Sequence, residues 1–295
     1  MKTPLFQGAC TALVTPFCAD GPDQHQMEKL LDFQAEGGTK AVLLAGTTGE
    51  HATLEEREFE RMTAHAIRYT AGRMKTIVGI GGNDPKDCLK KAQFAASAGA
   101  DGCLMTPPYY NKTTQEGLIR HFCYVADRAD LPLILYNVPS RTAIGISAEV
   151  YLALSSHPMI NGVKEASGDF SLIGRVAAAC GNDLNIWSGN DDHTVAMMAL
   201  GAKGVVSVAS NIIPDVISRL CQLCLDERFF EAGRLYAEYA EFYRMLFIET
   251  NPIPVKTAMS ILGLDTGRLR LPLIEMSPEH RAALLQSMKD TGIIS

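Results

Sequence analysis

Residues 160–169 read INGVKEASGD. Ile160 and Val163 mark a short buried strand, yet the run ends on Lys164, followed by Glu165, Ala166, Ser167 and Gly168. A lysine is a poor end for a core strand, because its ammonium is costly to desolvate. The same form, a brief apolar run that stops at Gly, Thr, Ser or Asn, recurs along the chain. It is read in ACTALVTP (9–16), AVLLAGTTG (41–49), KTIVGIGGN (75–83) and GCLMTPP (102–108). It returns in PLILYNVP (132–139), LNIWSGN (184–190) and GVVSVASN (204–211). With 160–167 these make eight candidate strands.

Between the runs lie stretches with helical spacing. Met27, Leu30, Leu31 and Ala35 line one face of the first, and Cys88, Leu89, Ala92 and Ala95 or Ala96 another. Thr53 before the acidic LEEREFE, and Asn83 and Asp84 before Pro85, are suitable helix starts. Strands alternating with helices and buried on both faces predict a (β/α)8 barrel, with a doubly wound open sheet as the structural alternative. After residue 226 strand signals stop, and 231–249, 251–264 and 277–292 read as helices. The expected organisation is a catalytic barrel over 1–226 and a small helical domain over 227–295.

The totals suit a soluble globular protein. The chain has 295 residues, 47% hydrophobic and 20% charged, enough for a large core. A net charge of −6 argues against a nucleic-acid surface. No apolar run reaches the roughly 18 residues of a membrane span, and Pro4, Gln7 and Thr11 interrupt any secretory signal. The expected address is the cytoplasm, and the eight cysteines are then free thiols. Cys221 and Cys224 form a CxxC inside an apolar helix, where the spacing fits one buried face. The seven histidines show no paired ligand spacing, so no metal is expected.

In such barrels the reaction site lies at the C-terminal ends of the strands. Thr47 and Thr48, Tyr109 and Tyr110, Tyr136 and Arg141, Lys164 and Gly189 all fall where an apolar run stops. A lysine kept neutral by apolar walls, with a pKa tuned toward about 7 to 8, attacks a carbonyl and forms a Schiff base. The alternative for Lys164 is a buried ion pair or a snorkelling side chain with Glu165 facing outward. Tyr136, on the neighbouring strand, offers a phenol for the proton transfers of imine formation. GTTGE (46–50) places two hydroxyls and backbone N–H groups before a helix, which suits a small carboxylate or a capped turn. Arg141 fits a second carboxylate at the mouth or a solvated surface position.

GTTGE (46–50), PPYYNK (107–112), YNVPSRT (136–142), GVKEASGD (162–169) and NPIPVK (251–256) occur in this order and spacing. Together they make the chain resemble the dihydrodipicolinate synthase family of pyruvate-dependent class I aldolases, over nearly its whole length. The resemblance implies a catalytic barrel with a C-terminal helical domain, assembled as a homotetramer, with no metal or organic cofactor. It implies condensation of pyruvate with aspartate semialdehyde, the first committed step toward diaminopimelate and lysine. Lys164 then forms the Schiff base, Tyr136 transfers protons and Thr47 relays them. Tyr110 completes the relay from a neighbouring subunit. Thr48 binds the pyruvate carboxylate, Arg141 receives the carboxylate of the aldehyde, and Gly189 and Val206 line the pyruvate pocket. Related aldolases acting on sialic acid or keto-deoxy sugar acids share Lys164, Tyr136 and GTTGE; Arg141 within YNVPSRT favours the synthase. A barrel that binds without reacting is the alternative of a different class.

The resemblance also implies an effector site that could include His51, Asn83 and Tyr109. Glu56, Phe59 and Asp87 stand where lysine-sensitive members often carry histidine, histidine and glutamate. Phe59 cannot hydrogen-bond, which speaks against feedback by lysine.

Overall fold

A computed structural model describes residues 2–295. Eight parallel strands close into a barrel: β1 (Gly8–Ala12), β2 (Ala41–Leu44), β3 (Lys75–Gly79), β4 (Gly102–Met105), β5 (Leu133–Asn137), β6 (Ile160–Glu165), β7 (Asn185–Ser188) and β8 (Gly204–Ser207). Each pairs with the next in sequence, and β8 returns to β1 in the register Gly8↔Gly204. Every strand lies within one of the eight apolar runs, save that β1 begins one residue early at Gly8, and the residues that follow form the loops at the C-terminal rim. The expected barrel is the observed fold, and the open sheet is excluded by the closure of β8 on β1.

Nine helices accompany the barrel: α1 (Gln24–Glu36), α2 (Glu56–Thr70), α3 (Pro85–Ala98), α4 (Gln115–Ala126), α5 (Pro139–Thr142), α6 (Ala148–Ser155), α7 (Phe170–Cys180), α8 (Thr194–Ala199) and α9 (Pro214–Leu225). Asp84 caps α3 by accepting from the Lys86 N–H, as its place before Pro85 predicts. The start of α2 differs from expectation. Glu55 is its N-cap, in a reciprocal capping box with Glu58, while Thr53 ends a short 3-10 turn. An acidic pair at the right spacing outcompetes the hydroxyl two residues earlier.

The period of two along each strand separates two apolar layers. Cys10, Ala41, Leu43, Ile77, Leu104, Ile134, Tyr136, Trp187 and Val206 pack inside the barrel. Val42, Val78, Cys103, Leu135, Val163 and Val205, of the other parity, pack outward against the helices. Lys164 pairs in register with Tyr136 on one side and Trp187 on the other, so it shares their inward parity, and Glu165 faces out. Gly162, also of inward parity, is required by close packing. A Cβ there would lie 2.2 Å from the Asn185 carbonyl oxygen and 2.7 Å from the Trp187 ring.

Three further helices follow: α10 (Phe229–Met245), α11 (Ile253–Ile261) and α12 (Pro278–Asp290). Their buried residues, among them Phe242, Val255, Met259 and Leu284, join the same apolar cluster as the outward face of the strands. Cys221 and Cys224 lie buried in α9, and burial pushes the Cys224 thiol up to about 11. All eight cysteines are free. Among the described residues no helix is long and apolar enough to cross a membrane.

Candidate active site

A cavity of about 160 Å³ opens at the C-terminal rim. Six of the residues singled out in the sequence line it: Thr47, Thr48, Tyr136, Arg141, Lys164 and Gly189. Lys164 and Tyr136 sit one residue before the ends of β6 and β5, directly paired, and both are buried. The lysine Nζ lies over the phenol ring, 4.2 Å from its centroid. Neighbouring side chains in register run alongside one another, so the amine meets the ring face. Gly189 leaves the space the lysine occupies, since a Cβ there would lie 3.2 Å from Lys164 Cε and 2.7 Å from the Ala166 Cβ. Burial pushes the Cys10 thiol up to about 12, against the opposing effect of the Lys164 charge, so the thiol stays protonated.

Glu165, unexplained by the sequence, anchors the strand that carries the lysine. Its two carboxylate oxygens accept from Asn137 Nδ2 at 3.1 and 3.0 Å, from the Tyr151 hydroxyl at 2.8 Å and from the Ser167 N–H at 2.8 Å. Asn137 in turn accepts from the Ile146 N–H at 3.1 Å. Burial, and then the Glu165 charge, push the Tyr151 hydroxyl well above its usual range, which keeps it a donor. One buried carboxylate thus ties β5, β6, α6 and the loop after Lys164 together.

The GTTGE turn is held from the C-terminal helices. Glu50 has a left-handed backbone (φ 54°) and pairs with Lys256 at 2.8 Å, both side chains being fully buried. Lys256 also donates to the Thr15 carbonyl at 2.8 Å, and Glu50 accepts from the Arg270 N–H at 3.0 Å. Beside this pair, Asn251 donates from Nδ2 to Thr48 Oγ1 at 3.0 Å, and its carbonyl accepts from Arg141 Nη2 at 3.1 Å. Asn251 and Phe247 complete the mouth, with Ser140 on α5. On the opposite wall Asp191 Oδ2 accepts from the Val208 and Ala209 N–H groups at 3.0 Å each, which fixes Val208 at the cavity. Burial pushes the Asp191 carboxyl above its usual range, offset by those hydrogen bonds.

Five singled-out residues lie elsewhere. Val206 belongs to the barrel interior, and Val208, two residues on and of the same parity, lines the cavity. Tyr110 is 94% exposed, on a left-handed backbone after β4, away from the cavity wall. His51 lines a separate cavity of about 240 Å³ with Leu54, Glu56, Phe59 and Asp87. Burial, followed by the Lys91 charge, holds its imidazole below the usual range. Asn83 and Tyr109 are not among the residues that line that cavity. Sequence reasoning missed Asn251, Phe247, Ser140 and Val208. Asn251 stands in a quoted motif, but only as the residue before a proline; nothing local marks the reach of a C-terminal segment to the rim.

A closed parallel barrel with a buried lysine and tyrosine lining a cavity at its carboxyl rim defines the chain as a (β/α)8-barrel protein with its site at the strand ends. The profile of the Dihydrodipicolinate synthetase family matches residues 5–291, and the chain belongs to that family. It is 43% identical to a 4-hydroxy-tetrahydrodipicolinate synthase of Persephonella marina, over 98% of this chain and all of the relative. The crystal structure of dihydrodipicolinate synthase from Aquifex aeolicus matches with a TM-score of 0.96 at 41% identity, covering 98% of this chain and 99% of that one. The chloride-inhibited synthase of Acinetobacter baumannii, solved in complex with pyruvate, matches with a TM-score of 0.95 at 38% identity, covering 98% and 100%.

Proposed function

We propose that the chain is a 4-hydroxy-tetrahydrodipicolinate synthase, joining pyruvate to aspartate 4-semialdehyde in the first committed step of diaminopimelate and lysine synthesis. The observation that carries the assignment of residues is the register pair Tyr136↔Lys164 on the wall of a small cavity that Thr48 and Arg141 also line. The lysine Nζ adds to the ketone carbon of pyruvate, and loss of water from the carbinolamine gives the imine. Tyr136 supplies and recovers protons in these steps, with Thr47 as relay and Tyr110 of a neighbouring copy closing the chain in a homotetramer. Thr48 holds the pyruvate carboxylate by its hydroxyl, and Arg141 at the mouth receives the carboxylate of the aldehyde. Loss of a methyl proton turns the imine into an enamine, whose carbon attacks the aldehyde. The substrate's own amine then displaces Lys164 by transimination, closing the ring and freeing the enzyme. The protonated imine serves as the electron sink, so the route needs no metal or organic cofactor. Eight free thiols suit a cytoplasmic setting.

The test is incubation with pyruvate and borohydride followed by mass spectrometry. A reduced adduct on Lys164 and turnover with aspartate semialdehyde are expected. No adduct would sink the Schiff-base reading, whereas an adduct without turnover would move the assignment to a sister aldolase.

A further inference from the structure

We propose that Asn251 is a positioning residue that sets which way the Thr48 hydroxyl points its proton. A hydroxyl carries one proton and two acceptor lone pairs. The Asn251 amide donates to Thr48 Oγ1 at 3.0 Å and so occupies a lone pair. Thr48 is buried, and its own proton meets no acceptor among the described residues, which leaves that proton for an anion in the cavity. The reverse polarity would turn lone pairs toward the anion and repel it. Asn251 is itself 6% exposed, lines the cavity, and is held in place through its carbonyl by Arg141 Nη2.

The inference rests on the pyruvate reading of the cavity and adds a consequence to it. The side chain of Asn251 governs the pyruvate end, while the Arg141 contact uses only its main chain. Side-chain variants therefore weaken pyruvate selectively. Asn251→Ala raises the pyruvate concentration for half-maximal borohydride trapping, and the KM for pyruvate, by about tenfold. The KM for the aldehyde stays within about twofold. Asn251→Asp, nearly isosteric but an acceptor only, weakens pyruvate more than Asn251→Ala does, because it reverses the hydroxyl and adds a negative charge. In a Thr48→Val background, Asn251→Ala has no further effect on pyruvate, as expected when the residue acts through Thr48.

Wild-type pyruvate affinity in Asn251→Asp, equal rises in both KM values, or additive effects in the Thr48→Val background would each overturn the proposal while leaving the synthase assignment standing. No adduct in the parent enzyme would remove both. Should Asn251→Ala not fold, the comparison of Asn251→Asp with the parent, checked by its thermal midpoint, carries the same test.

Discussion

Glu50 and Lys256 are separated by 206 residues in sequence and by 2.8 Å in the fold. The first belongs to the turn that presents Thr47 and Thr48, the second to α11, whose approach carries Asn251. Lys256 Nζ also lies over the Phe17 ring, 4.5 Å from its centroid, and so does the Arg270 guanidinium at 4.4 Å. The ion pair therefore fixes a rim loop against the C-terminal helices in a site with no access for water. A buried pair gains little over an apolar substitute, but removal of one partner leaves a charge without compensation. Glu50→Ala is expected to lower unfolding stability by about 3–5 kcal/mol. Lys256→Met, combined with Glu50→Leu, should recover part of that loss. Urea unfolding of the three proteins at constant m-value provides the comparison, and a single-variant loss below about 1 kcal/mol would contradict the pairing.

Lys164→Ala removes the nucleophile, and no borohydride-trapped adduct is expected at any pyruvate concentration. Tyr136→Phe keeps the ring on which the amine rests and deletes only the hydroxyl. Pyruvate binding should persist in that variant, while turnover falls by about 10²-fold or more. Stopped-flow adduct formation together with steady-state rates tests the separation; unchanged turnover would remove Tyr136 from proton transfer.

Arg141→Ala leaves Lys164 and Tyr136 untouched. The adduct with pyruvate should form normally, and the KM for the aldehyde should rise by about tenfold or more, the loss of a charge-assisted contact. Equal impairment of both substrates would contradict a role of Arg141 confined to the aldehyde.

Gly189→Ala brings a methyl group to 3.2 Å from Lys164 Cε. Overpacking of about 1–3 kcal/mol is expected, expressed as slower adduct formation because the lysine has to move. Gly174→Ala, in α7 with no atom within 4 Å of the added Cβ, is the matched control. It should be neutral or stabilising by up to about 1 kcal/mol. If both variants form the adduct at the parental rate, Gly189 has no special relation to the lysine.

Glu165→Gln preserves size and removes the charge that accepts from three donor groups. Crowding of amide donors around Asn137 should cost about 1–3 kcal/mol in stability. Tyr151→Phe, which deletes one donor, should cost less. Both are read by thermal denaturation, and a Glu165→Gln variant as stable as the parent would show the carboxylate to be dispensable to the anchor.

The barrel was legible because its evidence is periodic. Eight apolar runs between helical stretches specify strands, and the parity of Cys10, Leu43, Ile134 and Trp187 follows from a period of two. Lys164 and Tyr136 were legible for a related reason, as polar residues interrupting that pattern at a strand end. The sequence was mute where the site depends on long-range approach. Asn251 meets Thr48 across 203 residues, and Glu50 meets Lys256 across 206. No local spacing encodes either contact. Val208 was missed because resemblance locates a strand end more securely than the layer at which a cavity begins. Glu165 looked idle for the opposite reason: its partners Asn137 and Tyr151 are ordinary polar residues until the fold surrounds them.

The two ends of the cavity differ in how they are built. Lys164 and Tyr136 stand on hydrogen-bonded strands, flanked by Trp187 in register with the lysine and held behind by Glu165. Ser140, Arg141 and Phe247 come from a one-turn helix and from the joint between α10 and α11. A lineage could exchange the second group without disturbing the first. The imine chemistry would be inherited intact while the accepted aldehyde drifted, so kinship in the strands says what bond is made, and kinship at the mouth says with whom.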